Sequence, residues 1–202
     1  MLLPLAVFAD GEVILSEVMT EKTFTASDWA KDEIALSYAI GLVPATVKDN
    51  YTQNITRENF CEAVMTLFAG VDIPYKPNNF EDTSNIAVAN AYSLGIVNGV
   101  SDTVFDPYRN ITREEISVML DRAFRKIADV KDEEFVASFP DAHMISDWAK
   151  TSVNFMNAQG IIKGDPDGSV RPQDNTTREE ALLLVSRTYF AANTYFSKVS
   201  SN

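Results

Sequence analysis

Three arginines of this chain sit in nearly identical hexapeptides. Arg57 lies in NITREN (54–59), Arg113 in NITREE (110–115) and Arg178 in NTTREE (175–180). Each follows a threonine, Thr56, Thr112 or Thr177, that stands where a helix N-cap belongs. Glu115 and Glu180 fall three residues after their threonines and complete a capping box; Asn59 leaves the first box incomplete. The asparagines two positions before each threonine are natural turn residues. The hexapeptides are also N-x-T sequons, but turn-and-cap grammar accounts for them without glycosylation. An arginine in a first helical turn suits one kind of chemistry. The turn offers free N–H groups and partial positive charge, and a cation there costs about 0.3–1 kcal/mol. A guanidinium adds a planar fork that suits a carboxylate. An unfavourable choice made three times points to an anionic ligand. The alternative is that each arginine pairs with a nearby acid, either the glutamate after it or a loop aspartate.

The elements that must position these arginines repeat as well. Apolar residues follow each one at the spacing of one helix face: Phe60, Ala63, Val64, Leu67, Phe68; then Ile116, Met119, Leu120, Ala123, Phe124; then Ala181, Leu184, Val185, Thr188, Tyr189. Thr188 is the polar exception. Upstream of each, a second helix is expected to end at Gly41, Gly95 or Gly160, since glycine tolerates the left-handed C-cap conformation. Turn-rich loops such as VSDTVFDPYRN and DPDGSVRPQDN connect the two helices. Each copy therefore reads helix, glycine, loop, capped helix. The copies span roughly residues 24–70, 80–127 and 139–192, in a mainly α fold joined by the linkers VDIPYKPNN and ADVKDEEFVAS.

These residues resemble the S-layer homology family. Copy two, FEDTSNIAVANAYSLGIVNGVSDTVFDPYRNITREE, matches its signature apart from a missing tryptophan. Copy three, FPDAHMISDWAKTSVNFMNAQGIIKGDPDGSVRPQDNTTREE, matches throughout. Copy one is divergent, with Ala26 where Asp82 and Asp141 stand and Ala45 where Gly99 and Gly164 stand. The resemblance implies three helix-loop-helix repeats around a pseudo-threefold axis, with the arginines at grooves between them. It implies anchoring to the bacterial cell surface through a secondary cell-wall polysaccharide linked to peptidoglycan, often bearing pyruvate ketals on N-acetylmannosamine. A ketal-linked pyruvate presents the carboxylate the arginines suit. In such a site Trp29 and Trp148 could stack on sugar faces, although tryptophan near a helix start more often packs. Asp82 and Asp141 could bind sugar hydroxyls, orient an arginine or cap a helix. Gly99 and Gly164 could let a ligand approach the backbone, or simply serve a turn.

Bulk properties exclude other classes. The net charge of −12 repels nucleic acid and anionic lipid at long range. Contact-range arginines can still hold an anion, since charges are screened over about 8 Å at physiological salt. One cysteine and one histidine make a Cys/His zinc site unsuitable, and no cofactor is implied. No stretch approaches the roughly 20 apolar residues of a membrane span. Residues 1–23 read as an N-terminal arm or a degenerate export signal, because MLLPLAVFA lacks a basic start. The loop GDPDGSVRPQDN carries acids but misplaces its glycine for an EF-hand and has Thr176 at position 12. No catalytic motif stands out. A structural or protein-binding scaffold without glycan remains the alternative function.

Overall fold

A computed structural model describes residues 25–128, 130 and 134–199 of the chain. The arm or signal expected at residues 1–23 lies outside the described residues. Six α-helices stand among them: α1 Lys31–Ala39, α2 Arg57–Met65, α3 Ile86–Ser93, α4 Arg113–Ile127, α5 Asp147–Ala158 and α6 Arg178–Val199. The fold is mainly α, as the periodicity predicts. Thr56 and Thr112 accept the N–H of Asn59 and Glu115, and Thr177 accepts that of Glu180. Glu115 and Glu180 return the bond to the threonine N–H, closing both capping boxes. Gly41, Gly95 and Gly160 follow the upstream helices with φ between 71° and 80°.

The copies interlock. Helices α2, α4 and α6 contact one another at the centre. Each upstream helix packs on the central helix of a neighbouring copy: α3 on α2, α5 on α4, and α1 on α6. The last contact joins the two ends of the described chain into a ring. Hydrogen bonds trace the same ring in the main chain. Ile55 N–H donates to Thr176 C=O at 2.9 Å, Thr176 N–H to Ile111 C=O at 3.1 Å, and Ile111 N–H to Ile55 C=O at 3.2 Å. All three residues are fully buried, where an unpaired peptide group would be costly. This closed triangle is the structural form of the pseudo-threefold expectation.

The apolar faces read from the sequence line the core. Phe60, Val64, Leu67, Ile116, Leu120, Phe124, Ala181 and Val185 are all fully buried. Thr188 is buried with them and donates its hydroxyl to Leu184 C=O at 2.7 Å, which satisfies it within its own helix.

Candidate functional site: two grooves shared by three copies

The helix starts differ from the sequence expectation in one respect: their N–H groups are not free. Arg57, Arg113 and Arg178 donate their backbone N–H to the carbonyls of Arg109, Asp174 and Gln53. Glu58, Glu114 and Glu179 donate theirs to Pro107, Pro172 and Tyr51. The next N–H goes to the capping threonine. The orphan donors of each helix are thus spent on the loop of the following copy, and an anion must be held by side chains.

The guanidinium groups also reach the neighbouring loop. Arg57 Nε donates to Phe105 C=O at 3.0 Å, and Arg113 Nε to Val170 C=O at 2.8 Å. Both arginines are 8% exposed. Burial is the largest influence on each and lowers its pKa, with Glu115 and Glu180 among the charges that oppose it; arginine stays charged regardless. Arg178 departs from the pattern. Its Nη1 takes the Asp49 carbonyl at 3.0 Å, while its buried Nε has no hydrogen bond.

Asp82 and Asp141 explain that departure. The Asp82 carboxylate accepts the N–H of Phe105 at 2.9 Å and of Asp106 at 2.7 Å. Asp141 accepts those of Val170 and Arg171 at the same two distances. Each carboxylate holds the peptide whose carbonyl receives the arginine, making a chain of carboxylate, peptide and guanidinium. It also fixes the next residue in a left-handed conformation, Asp106 at φ 64° and Arg171 at φ 49°. Such φ values are strained for non-glycine residues. Copy one has the same kink at Asn50, φ 49°, but Ala26 offers no carboxylate to hold it. Neither aspartate caps an α-helix; Asn85 and Ser146 precede α3 and α5 in those positions.

Two grooves gather the remaining residues, each from all three copies. One, of about 480 Å³, collects Trp29 from copy one, Arg113 from copy two, and Lys163, Gly164, Arg171 and Arg187 from copy three. The other, of about 270 Å³, collects Arg57 from copy one, Asn98, Gly99 and Arg122 from copy two, and Trp148 from copy three. Trp29 and Trp148 are 62% and 59% exposed. They face solvent at the groove, not the core that base rates for tryptophan suggest. Gly99 is a steric necessity: a Cβ there would stand 2.3 Å from Ser101 C=O and 2.8 Å from Val104 C=O. Gly164 has φ 80° and a tighter-than-usual 3.0 Å approach to Gly168 C=O.

Arg178 joins neither groove. The surroundings that match the other two lack each partner: Ala45 replaces the glycine, Asn59 the capping glutamate, and no tryptophan comes from copy two. The last absence has a cause in chain length. Gly95 follows Phe80 by 15 residues, whereas Gly160 follows Phe139 by 21, so α3 has eight residues against twelve in α5.

Sequence reasoning missed three contributors. Glu58, Glu114 and Glu179 staple neighbouring copies. Glu114 accepts Ser146 N–H and Oγ–H, both at 2.9 Å; Glu179 does the same for Ser27, and Glu58 accepts the Thr83 hydroxyl at 2.5 Å. The repeated T-R-E was the available signal, but the partners lie 25 to 152 residues away. Lys163 and Arg171 also line the Arg113 groove, and no sequence signal marked them. Arg171 binds Asp165, its nearest ally and the largest cause of its raised pKa, along with Asp174 and Glu180. Asp167 is occupied by Ser169. The acids of this loop therefore face their own cation and a serine. Among the described residues no cluster of three metal-ligating side chains forms, and no helix is long and apolar enough to cross a membrane.

The family model of the S-layer homology domain matches residues 79–116 and 138–182, which carry the second and third copies. The chain belongs to the S-layer homology family. Copy one, beyond those segments, is tied to the other two by the main-chain triangle. An amylopullulanase of Thermoanaerobacterium thermosulfurigenes is 31% identical over 175 residues, 82% of this chain and 9% of that protein. The exoglucanase XynX of Acetivibrio thermocellus is 31% identical over 177 residues, again 82% of this chain and 16% of its own length. A surface-layer 125 kDa protein of Lysinibacillus sphaericus is 28% identical over 171 residues, 80% of this chain and 14% of its own. The chain thus spans less than a fifth of each of these relatives.

Proposed function

We propose that this chain is a non-catalytic anchor that holds its protein to the outside of a bacterial cell wall, by binding an anionic wall polysaccharide in the Arg57 and Arg113 grooves. The observation that carries this reading is the repeated pairing of a buried, permanently charged arginine with an exposed tryptophan on one groove. A guanidinium suits a carboxylate, and a solvent-facing indole suits the apolar face of a pyranose ring. The relatives support the same reading. Proteins named for two different hydrolases and for a surface layer share this segment, so what they share is not one reaction. A polysaccharide bearing pyruvate ketals fits the chemistry, since each ketal supplies one exposed carboxylate.

The second reading is a protein-binding scaffold of the envelope. It is favoured by Arg57, whose fork is largely used by the carbonyls of Phe105 and Asn98. Co-sedimentation with purified sacculi separates the two. The anchor reading expects the protein to pellet with intact sacculi and to stay in solution with sacculi stripped of secondary polymer. Equal pelleting with both would overturn it and favour a peptidoglycan or protein partner.

A further inference from the structure

Each groove arginine has a second arginine behind it. In copy two, Arg109 grips both oxygens of Glu115, at 2.7 and 3.0 Å, and its Nε lies 3.2 Å from Asp106. Glu115 in turn faces Arg57 of copy one, 3.7 Å away. In copy three, Arg171 donates to Glu180 at 3.0 Å and to Asp174 at 3.4 Å. Glu180 accepts from Arg113 of copy two at 3.2 Å. The order is the same both times: acid, arginine, capping glutamate, groove arginine.

The first two of these have traded places between the copies. Arg109 stands where copy three has Asp174: their carbonyls take the N–H of Arg57 and Arg113. Asp106 stands where copy three has Arg171, at the left-handed residue. Either charge can hold either place, provided both change together. Copy one fills the same positions with Asn50, Gln53 and Asn59, all uncharged. Gln53 is matched by its carbonyl, which takes the N–H of Arg178. Where the capping glutamate is missing, the second arginine is missing too. A capping box does not require this coupling, since the threonine and the glutamate complete it between themselves.

The effect shows at the groove arginine. A lone carboxylate this near would pair with the guanidinium and cancel its charge. Arg109 draws both oxygens of Glu115 to itself, and Arg57 Nη1 has no hydrogen bond among the described residues, its Nε and Nη2 serving two carbonyls. Arg113 likewise keeps Nη2 unbonded. Arg109 does not line the Arg57 groove, so it acts there through Glu115. We infer that Arg109 and Arg171 are positioning residues: each holds the capping glutamate back from the groove arginine, which keeps a free N–H and its charge for an anionic ligand. The inference rests on the groove reading above and deepens it.

Copy two gives the simpler test. Arg171 lines its own groove and also binds Asp165, whereas Val100 stands in copy two where Asp165 stands in copy three. Trp148 lies in the Arg57 groove and is the sole tryptophan of Trp29→Phe, so its fluorescence reports there. The probe is a methyl glycoside of N-acetylmannosamine bearing a pyruvate ketal, used as the free carboxylate and as its neutral methyl ester. In that background Arg109→Asp should weaken the carboxylate about tenfold and the ester by less than about twofold. Arg109→Gln, which adds no new charge, should weaken the carboxylate about threefold. The exchange Asp106→Arg/Arg109→Asp writes the copy-three arrangement into copy two, and should restore carboxylate binding to within about twofold of the Trp29→Phe chain. An equal loss for carboxylate and ester, no loss in either Arg109 variant, or no rescue by a folded exchange variant would overturn the inference, while sacculus pelleting by the unmodified chain leaves the anchor reading standing. No binding of the carboxylate by Trp29→Phe itself would overturn it as well, and if the unmodified chain also fails to pellet on sacculi, both readings fall.

Discussion

Glu114 in the first turn of α4 accepts both the N–H and the hydroxyl of Ser146, which begins α5 in the next copy, at 2.9 Å each. The carboxylate is buried, with 5% exposure. Glu114→Ala removes a doubly bonded charge and strands the Ser146 N–H. The expected loss is about 2–4 kcal/mol, read as a fall in Tm of roughly 5–15 °C by calorimetry. A change within 2 °C, as measured against about the same scale, would mean that the copies are held by apolar packing alone.

Arg57 and Arg178 should not be equivalent. Arg57 is buried and serves two carbonyls and the Phe105 face, whereas Arg178 serves Asp49 with one nitrogen and leaves Nε unbonded. Arg57→Ala should cost about 2–3 kcal/mol and Arg178→Ala about 1 kcal/mol or less in urea unfolding. Equal losses would contradict the asymmetry traced to Ala26.

Gly99→Ala puts a Cβ against two carbonyl oxygens and the Phe80 ring, at 2.3, 2.8 and 2.6 Å. Backbone must move, and with it the Asn98 carbonyl that holds Arg57. The substitution should cost about 2–3 kcal/mol and weaken binding at the Trp148 groove while leaving the Trp29 groove intact. Separate titrations of Trp148 and Trp29 fluorescence check both parts.

Glu115 links stability to pH. Burial, the largest influence, disfavours its charge, but hydrogen bonds from Arg109 and Thr112 outweigh it and hold its pKa below the ordinary glutamate value of 4.5. A depressed folded pKa stabilises the fold above the unfolded value and is lost as pH falls through the folded one. Glu115→Gln should therefore cost about 1–2 kcal/mol at pH 7 after allowance for partial exposure. The gap to the parent protein should close on acidification below pH 4.5. A gap constant with pH would assign the effect to packing.

What the sequence revealed and what it hid divide by range. Helix starts at Thr56, Thr112 and Thr177, helix ends at Gly41, Gly95 and Gly160, and the buried faces all follow from residues a few positions apart. The second helix of copy three runs on to Val199, past the expected end near residue 192, because nothing in AANTYFSKV breaks it. The grooves were less legible. That Trp29 would join Arg113 and Lys163, or that Trp148 would join Arg57, depends on which copy packs on which. That order is set by the triangle of Ile55, Ile111 and Thr176, and no local pattern encodes it. The helix N–H groups that looked free in the sequence are taken by the loop carbonyls of the following copy, such as those of Arg109, Asp174 and Gln53. Asp82 and Asp141 gave no sign that they act on the arginines through a peptide group.

The central claim is that the grooves hold the polymer through side chains the fold does not need. Arginine variants test it poorly, since Arg57 and Arg113 also brace neighbouring loops. Trp29 and Trp148 stand exposed, and removing their rings leaves the core untouched. The most direct measurement is therefore co-sedimentation of a Trp29→Ala/Trp148→Ala double variant with intact sacculi, beside the parent chain. The account predicts that the variant keeps its helical circular dichroism and loses at least about tenfold in affinity. Unchanged pelleting by the folded variant would contradict it.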